Sequence, residues 1–333
     1  MTKDHMTPGA IDVHVHFLPD AYRRAAIDAG YRLADGLAPP GLPEWSAERH
    51  LEVMDGLGVE TAVLSVSSPG VLLYDEPARV AELARIVNDE GAAVAAAHPG
   101  RFGFFASLPL PDVEASLEEI RRAFDELGAD GVVLMTNYRG VYPGDPRLAP
   151  VFAELSRREA VVLLHPTSPA CAVDGVMVGW QRPMIEFFFE STRTVTDLIL
   201  TRTLSDNPGI RLIVAHAGAA LPALASRVAR NVHRRNAAAG PDERLPDFDE
   251  SLANLWYDLA GSVYPHQVPA LLGIARRDHV LYGSDWPFTA AETAGELRRD
   301  FEKAPEFTAE DRQAILRGNA AGLLARFGAQ AEH

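Results

Sequence analysis

AIDVHVHFLPD, at residues 10–20, is an apolar β-strand pattern that contains two histidines. Side chains two residues apart in a strand project to the same face, so His14 and His16 lie side by side. A buried polar group without a hydrogen-bond partner costs free energy, so both rings need partners within the fold. The stretch therefore predicts a buried strand that carries a functional pair of imidazoles.

Seven further runs of apolar and β-branched residues follow along the chain. They are TAVLSV (61–66), FGFFASL (102–108), DGVVLMT (130–136), AVVLLH (160–165), IRLIVAH (210–216), LWYDLA (255–260) and HVLYGSD (279–285). Amphipathic stretches lie between them, such as AERHLEVMDGLG (47–58) and EASLEEIRRAFDELG (114–128). Apolar strands that alternate with helices are typical of a parallel sheet covered by helices.

This pattern predicts an α/β fold, a single (β/α)8 barrel of the TIM type that forms one domain over residues 1–333. A doubly wound open sheet is the alternative, but no strand is followed by a GxGxxG motif or a P-loop. The excess length falls after strands 1 and 5, so inserted loops are expected at residues 17–46 and 166–190. Barrel enzymes build their active sites at this end of the strands.

The composition narrows the class of protein. The net charge is −15, with 46 acidic and 31 basic residues, which argues against nucleic acid as a partner. No run of about 18 apolar residues occurs, so no membrane span is expected. The single cysteine, Cys171, and an N-terminus without a signal-peptide pattern predict a cytoplasmic protein.

Polar residues interrupt or end four of the apolar runs, at the same end of each. They are His14 and His16 in the first run, His165 in the fifth, His216 in the sixth and Asp285 in the eighth. Each has an ordinary explanation when it is taken alone, such as loop capping by a histidine that precedes proline. Because the strand ends of a closed barrel meet at one mouth, we expect all five to form one site. Three imidazoles and a carboxylate suit a divalent transition metal, with zinc as the default.

Four segments together resemble the amidohydrolase superfamily. They are IDVHVHFLPD (11–20), HP (165–166), AHAGAALP (215–222) and LYGSDWPF (281–288). The resemblance is to the decarboxylase branch, which includes the aminocarboxymuconate semialdehyde, γ-resorcylate and 6-methylsalicylate decarboxylases. Segments such as LSVSSPGV (64–71) are most similar to the 6-methylsalicylate group.

The resemblance implies one divalent metal ion per chain, usually zinc and sometimes manganese, without an organic cofactor. The positions that match the family's ligands are His14, His16, His165 and Asp285, and His216 matches the catalytic histidine beside the metal. Superfamily hydrolases with two metals commonly use a lysine at the end of strand 4. Strand 4 here, followed by TNY, contains no lysine, which favours a single metal.

Two chemistries fit such a site. The first is non-oxidative decarboxylation of a small hydroxylated aromatic acid, such as a 6-methylsalicylate-like substrate. In this reaction Asp285 or a metal-bound water protonates the ring. The second is metal-dependent hydrolysis of a lactone or an amide. The aromatic surface expected from MIEFFFE (184–190), Trp286 and Phe288 favours the decarboxylase. A barrel that only binds a partner protein is the third alternative, and the intact ligand positions argue against it.

The substrate contacts are predicted less directly. The resemblance places Arg227, eleven residues after His216, at a position that reaches a substrate carboxylate across a dimer interface, so a homodimer or a higher homo-oligomer is expected. A second family arginine is replaced by His50, which favours a small monocarboxylic acid over a dicarboxylic acid. Asn137, just after strand 4, and Trp286 are further candidates for contact with the substrate.

Overall fold

Eight parallel strands follow one another around a barrel in the order in which they occur in the chain. The computed structural model describes residues 9–31, 35, 42–171, 176–177 and 179–328. The strands are β1 Ala10–His16, β2 Val59–Ser65, β3 Phe102–Ser107, β4 Gly131–Met135, β5 Val161–His165, β6 Arg211–Val214, β7 Trp256–Asp258 and β8 Val280–Leu281. The prediction of a (β/α)8 barrel is therefore confirmed.

Helices cover the outside of the barrel. They are α1 Asp20–Asp28, α2 Ala47–Leu57, α3 Pro77–Ala97, α4 Val113–Asp125, α5 Ala149–Arg157, α6 Glu186–Leu200, α7 Thr203–Asp206, α8 Leu221–Ala238, α9 Phe248–Ala253, α10 Gln267–Leu271, α11 Ala291–Lys303, α12 Ala309–Gln313, α13 Asn319–Leu323 and α14 Ala325–Gly328. Local sequence explains where they begin and end. The Ser46 side chain accepts a hydrogen bond from the backbone of Arg49 at the start of α2, and Gly58, with φ 68°, ends that helix.

The strands are buried on both faces, as their nearly continuous apolar sequence predicts. Every residue of β1, β3, β4 and β5 is buried. Helices pack on the outer face, and side chains from the strands fill the inner one. Polar side chains on β1 are therefore held in a rigid, dry environment.

The seam between the last strand and the first is irregular. Three backbone hydrogen bonds cross it: Val13 N to Tyr282 O (3.1 Å), Asp285 N to His14 O (2.8 Å) and His16 N to Trp286 O (2.8 Å). The register between β1 and β2 also shifts between Asp12 and Val15. This seam joins the two ends of the chain at the C-terminal mouth of the barrel.

Two predicted strands are shorter than their apolar runs. The sixth strand ends at Val214 and the eighth at Leu281, so His216 and Asp285 lie in the turns that follow. Both residues have positive φ, 56° for His216 and 59° for Asp285. That backbone region is uncommon for residues other than glycine and cannot continue a strand. The two side chains are thereby directed into the barrel mouth.

The predicted inserted loops are described only in part. Helix α1 lies within residues 17–46, and α6 begins within 166–190. Residues 32–34, 36–41, 172–175 and 178 lie outside the described part, so these loops and the single domain over residues 1–333 stay predictions. Among the helices of the described residues, none is long and apolar enough to cross a membrane. The cytoplasmic location also stays a prediction.

Close packing at the seam generates a stability prediction. A Cβ atom on Gly283 would lie 2.8 Å from the Cβ of His14 and 3.1 Å from the Cβ of Ala260. Gly283→Ala should therefore lower the free energy of unfolding by about 1–3 kcal/mol, because the buried strands cannot move apart without loss of packing. Denaturant unfolding of the purified protein measures this change.

Gly322→Ala is the matched control, because a Cβ atom at this exposed position on α13 meets nothing within 4 Å. It should leave the free energy of unfolding unchanged or raise it by up to about 1 kcal/mol. Equal destabilisation by the two variants would contradict the packing argument.

Candidate metal centre

The two histidines of β1 are fully buried, and the Nδ1 atom of each is bound to a residue of another strand. His14 Nδ1 lies 2.8 Å from the carboxylate of Asp258 on β7. His16 Nδ1 lies 3.3 Å from the carbonyl oxygen of Ser65 on β2. These partners accept from Nδ1–H, so each Nε2 atom faces the barrel axis as the ring nitrogen available to a metal ion.

His165 and Asp285 complete a cluster of four. One ligand atom from each of His14, His16, His165 and Asp285 can be chosen so that all four lie within 4.8 Å of one another. The Nε2 atoms of both β1 histidines and the Nδ1 atom of His165 are buried without a hydrogen-bond partner. Two unpartnered imidazole nitrogens from β1, with a ring nitrogen of His165 and a carboxylate oxygen of Asp285 within the same small radius, fit a divalent metal ion.

The charges of the cluster are strongly coupled. Burial alone would lower the pKa of His14, but the carboxylates of Asp258 and Asp285 raise it to about 9. Burial would raise the pKa of Asp285, yet the adjacent imidazoles of His16, His216 and His14 hold it well below its usual range. The centre is therefore built around anionic carboxylates, which a divalent cation complements.

His216 lies beside this cluster rather than in it. Its Nε2 atom is 3.9 Å from Asp285 Oδ2, and its backbone N donates to Asp258 Oδ1 at 3.0 Å. The Gln267 side chain donates to the His216 carbonyl, and this contact holds the strained turn after β6. At 3.9 Å the two side chains are not hydrogen-bonded, but a small movement of either would bring the ring within reach to exchange a proton with the carboxylate.

Asp258 is the main residue that the sequence analysis missed. It is fully buried at the end of β7, and its two oxygens accept from the His14 ring and the His216 backbone. Burial would raise its pKa, but the His14 charge and hydrogen bond keep that pKa below its usual value. A carboxylate that interrupts the run LWYDLA (255–260) meets the same criterion that identified His216, so the sequence contained the information.

A cavity of about 440 Å³ opens above the cluster, within the range of about 300–1,000 Å³ that is typical of small-molecule sites. His165, His216 and Asp285 line its floor. Its apolar wall includes Met184, Phe187, Phe188 and Phe288. No lysine or arginine is among the described residues that line it. The cavity suits a flat apolar molecule with a single anionic group.

Three predicted substrate residues lie elsewhere. Trp286 is buried and packs on His50, with ring centroids 4.4 Å apart, and it is not among the residues that line the cavity. Asn137 Nδ2 donates to Glu190 at 2.9 Å and to the Ser168 carbonyl, also outside this cavity. Arg227 is exposed on α8. Tertiary packing separates these residues from the metal centre within one chain.

His50 has a structural environment. Trp45 Nε1 donates to its Nδ1 atom at 3.2 Å, and Phe102 packs on the same ring. Burial, with a contribution from the charge of His16, lowers the pKa of His50 to about 3, so the ring is neutral. It carries no charge that could bind a second substrate carboxylate.

The chain belongs to the amidohydrolase family, whose model (Amidohydro_2) matches residues 11–326. A 6-methylsalicylic acid decarboxylase of Aspergillus aculeatus, acuB, is 41% identical over 286 residues, 83% of this chain and 84% of the relative. These findings confirm the resemblance inferred from the four motif segments.

Solved structures agree on the fold. The crystal structure of an amidohydrolase II protein has a TM-score of 0.87 at 32% identity and covers 95% of this chain and 99% of its own. A dihydroxybenzoic acid decarboxylase from Polaromonas sp. JS666, solved with manganese and the inhibitor 2-nitroresorcinol, has a TM-score of 0.80 at 23% identity. The latter match covers 96% of this chain and 97% of the other.

Asp258→Asn tests the support of the metal ligands. The amide keeps the size of the side chain but removes the charge that binds Nδ1–H of His14, so the ring loses its fixed orientation. Metal affinity should fall about 10- to 100-fold, as for other partners of ligating histidines. Competition against a chelating dye, with the metal content measured by elemental analysis, gives the dissociation constant.

Asp247→Asn is the control, because Asp247 caps α9 at the surface and contacts none of the cluster. It should leave metal affinity unchanged. An unchanged affinity in Asp258→Asn as well would remove the supporting role of Asp258.

Proposed function

We propose that this chain is a metal-dependent, non-oxidative decarboxylase of a small hydroxylated aromatic carboxylic acid of the 6-methylsalicylate type. The observation that carries the proposal is a cluster of unpartnered imidazole nitrogens under an aromatic wall in a cavity lined by no described cation. The Aspergillus aculeatus relative, a 6-methylsalicylic acid decarboxylase, supports the same substrate class. A ring with one carboxylate matches both the wall and the charge of the site.

Zinc is the proposed metal, one ion per chain, held by His14, His16, His165 and Asp285. Three imidazole nitrogens and one carboxylate oxygen are a usual zinc donor set. Manganese is the second candidate, since it is the ion in the Polaromonas structure. When bound, a divalent metal supplies Lewis-acid stabilisation of the carboxylate and of the neighbouring hydroxyl.

The protein's own side chains orient the substrate. The aromatic ring of the substrate is proposed to lie between Phe188 and Phe288. The Phe188 ring is 5.8 Å from the His216 ring, and the Phe288 ring is 5.5 Å from the His16 ring, measured between centroids. This apolar surface excludes water from the side on which the carboxylate loses its charge. A neutral CO2 molecule is favoured there over the carboxylate from which it forms.

Asp285 is proposed to deliver a proton to the ring carbon, which its carboxylate carries only transiently because its pKa lies well below the usual range, with His216 as its partner. Asp285 Oδ1 faces the β1 histidines, 3.2 Å from His16 Nε2. Asp285 Oδ2 faces the cavity side, where it accepts from Thr289 Oγ1 at 3.3 Å and lies near His216. As the bond to CO2 breaks, its electron pair returns to the ring, and the same carbon takes the proton.

Turnover in heavy water tests the reaction. Metal-loaded enzyme given 6-methylsalicylate should release CO2 and place one deuterium on the ring carbon that held the carboxylate, as measured by mass spectrometry. His216→Ala should keep the metal and lose at least about 100-fold in kcat, the size of a general acid–base contribution. A product without the deuterium would refute this mechanism.

A panel of lactones and amides is run in parallel. Turnover of that panel alone, without CO2 release from any hydroxybenzoate, would favour the hydrolase alternative. His14→Ala, which removes a ligand, is the control for metal dependence in both panels and should abolish activity.

We also propose a homodimer in which Arg227 serves the cavity of the neighbouring chain. Arg227 is exposed on α8, and its own cavity has no described cation to meet a substrate carboxylate. Arg227→Ala should therefore raise KM about tenfold without a change in metal content, the pattern expected from loss of uniform substrate binding. Light scattering reports the mass in solution, and a fully active monomer would contradict this role.

A further inference from the structure

Helix α6 supplies two aromatic side chains of the cavity wall, Phe187 and Phe188. Phe187 packs against His165 at a centroid distance of 6.2 Å, and Phe188 stacks on His216 at 5.8 Å and 26°. The residues just before the helix are exposed, with Met184 47% and Ile185 39% accessible. The two phenylalanines therefore lie at the start of a helix whose preceding segment packs little against the barrel.

Glu190, one turn further along α6, is a fully buried carboxylate. It accepts hydrogen bonds from Asn137 Nδ2 at 2.9 Å and from Tyr142 OH at 3.0 Å, and Arg193 on the same helix pairs with it. A buried carboxylate is stable only where such partners are held in place, so the donors and the helix fix each other. Asn137 also donates to the Ser168 carbonyl at 3.0 Å.

These contacts tie α6 to the loops after β4 and β5. Neighbouring hydrogen bonds continue the attachment, from Thr194 Oγ1 to Thr136 O at 2.9 Å and from Ala220 N to Thr192 Oγ1 at 3.0 Å. Glu190 is the attachment closest to the two phenylalanines, and the only charged one of these. Loss of its charge would weaken the restraint at the start of the helix first.

We infer that Glu190 is a positioning residue, which holds Phe187 and Phe188 at the distance from the metal centre that an aromatic ring requires. It is not among the described residues that line the cavity, and its hydrogen bonds go to Asn137, Tyr142 and Arg193, so it acts through the helix backbone. Asn137, Tyr142 and Glu190 thus determine the selectivity for ring-bearing acids. The inference rests on the proposed function only in taking an aromatic acid as the ligand.

The test uses Glu190→Gln in the metal-loaded enzyme, with benzoate and acetate as probes. Benzoate uses the aromatic wall, whereas acetate reaches only the metal centre. Benzoate affinity, measured by titration calorimetry, should fall about tenfold. Acetate affinity, measured by competition, should change by less than about twofold. With 6-methylsalicylate, KM should rise about tenfold with kcat within about threefold.

Glu186→Gln is the matched control, since Glu186 lies one turn earlier on α6 and its carboxylate bonds to no described residue. It should change neither affinity. Tyr142→Phe removes one hydrogen-bond donor to Glu190 and should lower benzoate affinity by a smaller factor. This variant keeps the test valid if Glu190→Gln does not fold.

A double-mutant cycle separates positioning from general stability. In a Phe188→Ala background, Glu190→Gln should cost little further benzoate affinity, because the ring that it positions is gone. Full additivity, or equal losses for benzoate and acetate, would overturn the inference. Absence of turnover in the wild type would refute the proposed function and leave these binding results interpretable.

Discussion

The backbone hydrogen bonds between β1 and the segment that follows β8 determine where the rest of the site lies. Asp285 N donates to His14 O and His16 N donates to Trp286 O, both at 2.8 Å. These bonds bring the turn after the last strand against the first strand, so a carboxylate from one end of the chain faces two imidazoles from the other. The metal cluster exists only because the barrel closes at this seam.

Closure of the barrel also buries several imidazole and carboxylate groups in its mouth. Burial of imidazoles and carboxylates costs free energy unless each group has a partner. Asp258 and the Ser65 carbonyl satisfy the Nδ1 atoms of the β1 histidines, but the nitrogens at the centre converge without a donor. A divalent metal satisfies them together, so metal binding and stability of the folded barrel are coupled.

The barrel strands and helix α6 contribute different parts of the site. The strand ends and the turns after them supply the reactive groups. The backbone hydrogen bonds between the strands leave these groups little conformational freedom. Helix α6 supplies part of the wall that an aromatic ligand contacts, and it is attached by buried side-chain hydrogen bonds. A family can therefore keep one metal centre and change its substrates through residues on the wall, as expected where function is added to a common fold.

The sequence by itself predicted the barrel, its eight strands and the five polar residues around the mouth, because local β periodicity and strand-end chemistry are properties of short segments. The same criterion would have included Asp258, because this carboxylate interrupts the apolar run LWYDLA (255–260) just as His216 ends the run IRLIVAH (210–216). Trp286 was placed near the substrate because it follows Asp285, and Asn137 because it follows strand 4, but neither position fixes the direction in which a side chain points. Only the tertiary structure decided that Trp286 packs on His50 and that Asn137 binds Glu190. The physical reason is that these contacts join elements distant in sequence, and such packing leaves no periodic pattern in any one segment.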